Sequence, residues 1–170
     1  MNNIKKLKYF VILICVCSCA QQKAEDTVRL IPEGYIGSVL VIFNQENGEP
    51  KEYEEGKRIY RIPENGVLKT QFEPNYGMQN HQFFYVDKKR SRTEIPFVVV
   101  QDEEALNQIK DNDKTYAYWE HALGEVRNFD PKTNELLSIK QPARTFYIGN
   151  LKDIDKEHRE QLNFTFKHHK

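Results

Sequence analysis

The chain has 170 residues, with 25 basic and 25 acidic side chains and a formal charge of zero. That balance gives no electrostatic reason to bind nucleic acid or anionic lipid heads, and the length suits one ordinary domain that can bury a core without covalent staples. Its three cysteines, Cys15, Cys17 and Cys19, all lie in the first nineteen residues. The rest of the chain therefore has no thiol for a disulfide, a thiolate metal site or a nucleophile.

Those nineteen residues read as a lipoprotein signal. Lys5, Lys6 and Lys8 form a basic start, and Tyr9 to Val16 (YFVILICV) an apolar run. Ser18 then places a small residue directly before Cys19, with the aliphatic Val16 three before it. Bacterial lipoprotein processing needs this arrangement: a small residue at the cleavage point and a thiol to acylate. Cys15 and Cys17 follow Ile14 and Val16, which are too bulky. The predicted organisation is a signal over 1–18, a lipidated Cys19, a polar tether over 19–27 and one domain over 28–170. The acyl chains would hold the protein to a bacterial membrane, on its periplasmic face or outer surface. A plain secretory signal is the alternative. The apolar run falls far short of the about 20 residues that span a bilayer.

From Val28 the chain reads as strands between turn signals, the pattern of a sandwich or barrel. Tyr35 to Phe43 is apolar on both faces, as a central strand covered twice would be. Asn47-Gly48 marks a turn. Arg58 to Ile62 and Val67 to Phe72 form a predicted pair, joined by Pro63-Glu64-Asn65-Gly66, where Asn and Gly tolerate positive φ. His81 to Val86 is a strand, Asp87 to Thr93 a polar loop, and Ile95 to Val100 a buried strand that Pro96 limits to a start or an edge. A helix is predicted from Asp102 to Lys110, with Ala105, Leu106 and Ile109 inward. Strands follow at Tyr116 to Val126, Leu136 to Lys140 and Thr145 to Ile148, with a turn at Asp130 to Asn134. A short helix over Asp153 to Leu162 would turn Ile154 and Leu162 inward. The expected fold is mainly β: an antiparallel, sandwich-like domain with one or two short peripheral helices.

Several blocks resemble an uncharacterised bacterial lipoprotein domain family. They are Leu30 to Gly37 (LIPEGYIG), Ile62 to Thr70 (IPENGVLKT), Tyr76-Gly77, Phe83 to Val86 and Phe146 to Gly149. The resemblance runs from Val28 to Asn150. It implies a secreted or lipid-anchored domain without established activity, and it carries over no catalytic residues.

The residues themselves give little chemistry. His81, His121, His158, His168 and His169 show neither the i, i+4 pair of a helical metal site nor HExxH. Glu120 and His121 point to opposite faces of a strand, and Asp155 with His158 reads as a solvated salt link. Ser38, Ser91 and Ser138 lack a nucleophile motif, and Asp111-Asn112-Asp113 lacks the glycine and glutamate of a calcium loop. No catalytic, metal or cofactor site is expected. Tyr116, Tyr118 and Trp119 are the candidates for a recognition surface, with core packing as the alternative. The reading is a non-catalytic binding or scaffolding module at the membrane, with an envelope protein or glycan as partner and no nucleic acid. An envelope hydrolase using dispersed acids and histidines, or an immunity or inhibitor lipoprotein, are the alternatives.

Overall fold

The computed structural model describes residues 24–100, 103–109 and 113–170. The signal, Cys19, Asp102 and Lys110 lie outside the described residues. Strands β1 (Thr27–Pro32), β2 (Gly37–Ile42), β3 (Glu52–Glu54), β4 (Lys57–Arg61), β5 (Val67–Lys69), β6 (His81–Val86) and β7 (Arg92–Ile95) come first. Helix α1 (Glu103–Ile109) precedes β8 (Tyr116–Leu123), β9 (Val126–Phe129), β10 (Leu136–Lys140), β11 (Ala143–Gly149) and α2 (Ile154–His168).

Two sheets face each other. The first runs β3-β4-β1-β6-β7, the second β5-β2-β11-β8, and β9 and β10 pair with each other. The mainly β expectation holds, with two helices and mixed rather than purely antiparallel sheets. β1 runs parallel to β4 and β6, and β2 parallel to β5. The chain changes sheet at seven of its ten connections, so most neighbours in a sheet are not neighbours in sequence. The Pro63 to Gly66 turn shows the consequence. It joins β4 in the first sheet to β5 in the second, so the predicted pair is a crossing between layers and not a hairpin. Gly66 has φ +75°, and a Cβ there would meet the Tyr35 hydroxyl at 2.2 Å and the Ser38 carbonyl at 2.6 Å.

Between the layers lies an apolar core built from alternate residues of both sheets. Ile31, Tyr60, Phe83 and Ile95 come from the first, and Val39, Val41, Phe146 and Ile148 from the second. β2 is covered twice, as its pattern predicts. Val39 and Val41 face this core, whereas Leu40 and Ile42 pack outward with Ala143 and with Phe164 of α2. Among the described residues no helix lies over the outer face of the first sheet, yet Val28, Leu30 and Ile59 are buried there. Long charged side chains cover them. Arg61 pairs with Glu52, and Arg92 of β7 reaches Glu54 of β3 in a two-pronged bridge at 2.6 and 2.8 Å. Since β3 and β7 are the two edges of that sheet, the sheet is curled.

Other expectations change. β7 ends at Ile95, because Pro96 cannot donate to a ladder, and Val98 to Val100 form no strand. A single bridge, Phe97 to Ala117, ties that segment to β8. The long strand predicted over Tyr116 to Val126 breaks after Leu123, and its last residue opens β9. The final helix is longer than predicted. Asp153 caps it, accepting from the Lys156 amide, and it continues to His168. Leu162 is 46 % exposed, and the residue of the helix that is fully buried is Gln161. Tyr116 and Tyr118 are core, at 6 % and 0 % exposure, in a cluster with Tyr147 and Leu151 to which Ile109 of α1 and Ile154 add. They form no surface platform. Ala24 is also buried, with its amide bonded to the Met78 carbonyl, so the fold begins before the predicted domain start at residue 28.

Gly34 shares the positive φ of Gly66, at +76°, but a Cβ there would meet nothing within 4 Å. Gly66→Ala should therefore lower the urea unfolding midpoint clearly more than Gly34→Ala does. The conformational penalty is common to both, and steric displacement of Tyr35 and Ser38 belongs to Gly66 alone.

Candidate functional site

A guanidinium in the middle of the sandwich organises the polar residues of the fold. Arg29 shares the inward face of β1 with Thr27 and Ile31, and it is completely buried. Its Nη2 donates to Glu120 Oε1 at 2.5 Å, and its Nη1 donates to Thr27 Oγ1 at 2.7 Å and to His81 Nδ1 at 3.0 Å. The rings of Phe83 and Phe146 lie 4.7 and 5.4 Å from its central carbon. Arg144 of β11 adds a second cation, donating from Nη1 to the same Glu120 oxygen at 2.9 Å and from Nη2 to the Asn75 carbonyl at 3.0 Å.

Glu120 reaches this position because β8 is bulged. Tyr147 pairs with Tyr118 and Thr145 with His121, so Trp119 and Glu120 together oppose Phe146. Trp119 takes a φ of +52°, which an L side chain seldom adopts. The extra residue inverts the alternation beyond it. Trp119 lies on the Tyr118 side of the strand, not on the opposite face that simple alternation gives it, and Glu120 turns into the sandwich. Helix α2 holds the kink from outside. Buried Gln161 donates to the Trp119 carbonyl at 2.8 Å, and the His158 ring stacks on the indole with centroids 4.3 Å apart. His158 is thus an aromatic partner rather than half of a solvated link to Asp155.

The electrostatics follow from burial. Burial opposes the charge on Glu120, but Arg29, His81 and Arg144 outweigh it and hold the carboxyl below its ordinary value. Burial lowers the Arg29 pKa, with Glu120 opposing that shift. His81 is pushed down to about 4, first by burial and then by Arg29 and Arg144. Arginine can only donate, so Nδ1 of the neutral ring accepts from Arg29 and its proton sits on Nε2.

His81, Glu120 and Arg144 form the polar wall of a recess of about 220 Å³, and Phe97 to Val100 with Trp119 supply an apolar one. Glu120 Oε2 and Trp119 Nε1 are buried without a hydrogen-bond partner among the described residues, the former 3.3 Å from His81 Nδ1. Those residues hold no group of three or more His, Cys, Asp or Glu side chains suited to a metal ion.

Residues 23–129 match the model of a family of unknown function (DUF6843). The chain belongs to that family. The DUF6843 match takes in Arg29, His81 and Glu120 and stops short of Arg144, α2 and the Phe146 to Gly149 strand. Among solved structures, the chain is similar to "Putative Lipoprotein from Bacillus anthracis", at 17 % identity and a TM-score of 0.46, covering 85 % of this chain and 96 % of that one. No curated protein matches the chain significantly.

Sequence reasoning places His81 on a strand and sets Glu120 and His121 on opposite faces, both correctly. It misses Arg29, Arg144 and the convergence. The available signal was an arginine set between Val28 and Leu30 on the same face as Ile31, where a solvent-facing strand would not put it.

Glu120→Ala leaves two arginines facing each other under cover, and it should cost about 3–5 kcal/mol by urea titration. Arg29→Met combined with Glu120→Leu should recover part of that loss. The lowered His81 pKa has its own signature. The unfolded chain binds this proton more readily than the fold does, so stability is complete above the ordinary histidine value of 6.5 and declines as pH falls toward 4. His81→Gln, which can still accept from Arg29, should make the decline of the unfolding midpoint between those values shallower. It should not abolish the decline, because burial and His158 also lower the His121 pKa.

Proposed function

We propose that this DUF6843 protein is a cell-envelope lipoprotein, acylated on Cys19, that acts as a non-catalytic binding module at the membrane surface. The observation that carries the binding part is the recess at the bulge. It joins a charged wall of His81, Glu120 and Arg144 to an apolar wall of Phe97 to Val100, and two of its lining residues, Glu120 and Trp119, hold polar atoms without a hydrogen-bond partner. Sites for small ligands have this character: mostly apolar walls with a few fixed polar groups. The polar groups also support a role without catalysis. A general acid or base works best with a pKa near the operating pH. Here the His81 value sits at about 4, and Glu120 is held ionised by two arginines.

The partner classes this reading favours are a glycan end or a short peptide of an envelope protein, each able to offer hydrogen bonds beside an apolar surface. For the anchor, the supporting feature is the Lys5 to Cys19 pattern.

Both halves are open to test. Cys19→Ala should abolish metabolic palmitate labelling and release the protein from the membrane fraction; unchanged labelling would rule out the anchor. For the recess, Ala122 lies on its rim, exposed and outside the charge cluster. A panel of cell-wall glycan fragments and short peptides, titrated by NMR, should give a ligand whose shifts centre on Trp119 and His81. Ala122→Trp should remove that binding while leaving the unfolding midpoint in place. Binding that survives Ala122→Trp would move the site elsewhere.

A further inference from the structure

The β9–β10 hairpin stands apart from both sheets, and its larger apolar side chains lie open. Phe129 pairs opposite Leu136, and Arg127 opposite Ile139, so these share one face. The other face carries Asn128 opposite Ser138, joined by a 2.8 Å hydrogen bond, and Val126 opposite Lys140. Leu137 occupies the register shift and is 64 % exposed, and Phe129, Leu136 and Ile139 are exposed as well. An isolated pair of strands is marginal in water, and a contiguous exposed apolar face marks a contact surface.

The position of the hairpin says what covers that face. The hairpin is flanked by Leu123 and Ala143, which pair with each other at one end of the second sheet. Arg144, the next residue, donates to the Asn75 carbonyl, and Asn75 in turn donates to the Glu25 carbonyl at 2.6 Å. The base of the hairpin therefore lies at the end of the sandwich where the chain emerges toward Cys19. Exposed Met78 sits at that end too, its carbonyl bonded to the Ala24 amide. Only four residues lie between Cys19 and Ala24, so the five steps from one to the other reach at most about 17 Å. A strand of five residues, the length of β10, projects about as far.

From this placement we propose that the apolar face of the β9–β10 hairpin lies in the interfacial region of the bilayer that carries the protein, as a second membrane contact beside the lipid. The inference rests on acylation of Cys19. Charge does not drive the contact. Glu125, Asp130 and Glu135 balance Arg127, Lys132 and Lys140, with Glu125 paired to Arg127 and Asp130 accepting from the Lys132 and Thr133 amides. Burial of Phe129, Leu136, Leu137 and Ile139 is the driving term, so neutral lipid suffices.

The test uses the full-length protein expressed in a bacterium, recovered from its membranes and reconstituted into phosphatidylcholine vesicles with or without brominated acyl chains. Leu137→Trp adds a reporter on the hairpin, Ile139→Trp a second one, and Ser91→Trp a control in the β6–β7 loop. Intact mass establishes whether Cys19 carries lipid. With lipid present, brominated chains should quench most of the emission added at 137 and 139, and none of that added at 91. Lipidated protein with no quenching at either hairpin position would overturn the proposal and leave the anchor standing. So would shielding of both positions in detergent together with a dimeric mass, since a second copy would then be the occupant. Unlipidated protein would remove the anchor and the hairpin contact together.

Discussion

The pairing of Arg29 with Glu120 is the constraint around which the rest of the structure is arranged. A guanidinium with no access to water must find a carboxylate, and none lies on its own strand or on either neighbour's inward face near it. Glu120 supplies it from the opposite sheet. The two layers are thereby fixed relative to each other by a directional contact as well as by the apolar core, which by itself would tolerate sliding. The flanking rings of Phe83 and Phe146 exclude water, so the pair operates at low dielectric, where breaking it is costly and satisfying it is demanding.

That demand explains the irregularity in β8. A regular strand would send Glu120 to the same side as Tyr118, toward α2. The bulge at Trp119 reverses it, at the expense of a left-handed backbone conformation and a carbonyl taken out of the ladder. Gln161 and His158 answer both costs from α2, one by hydrogen bonding that carbonyl and the other by stacking on the indole. Core, bulge and terminal helix are thus linked. The recess is the space left where the kinked edge strand parts from the segment after Pro96.

Much of the fold was legible in the sequence because alternation is a local property. His81 to Val86 and Leu136 to Lys140 emerge with the bounds they were given, and β2 is buried on both faces as its apolar pattern requires. What could not be read is long-range. Nothing in the Pro63 to Gly66 turn says whether the strands it joins share a sheet. The sheet order shows a crossing between layers, and Gly66 is crowded by Tyr35 and Ser38 where the chain enters the second sheet. The face of α2 was misjudged because Leu162 is the more apolar residue and Gln161 the more useful one, its amide being needed at the bulge. The site was invisible for the same reason. A bulge inverts the alternation on which face assignments depend, and Arg29, His81 and Glu120 converge from three strands widely separated in sequence.

The linkage between α2 and the buried pair can be measured by a double-mutant cycle between Gln161 and Glu120. Gln161→Met, Glu120→Gln and the double variant would be compared with the parent by urea unfolding. No hydrogen bond joins the two side chains. The most direct link between them is the Trp119 backbone, whose carbonyl accepts from Gln161 at 2.8 Å, with a longer contact from Gln161 to Thr145 beside Arg144. If the helix holds the bulge, the interaction energy should lie clearly above the ~0.5 kcal/mol scatter of independent sites. Additive costs within that scatter would mean that Glu120 reaches Arg29 without help from the helix, and would contradict the linkage.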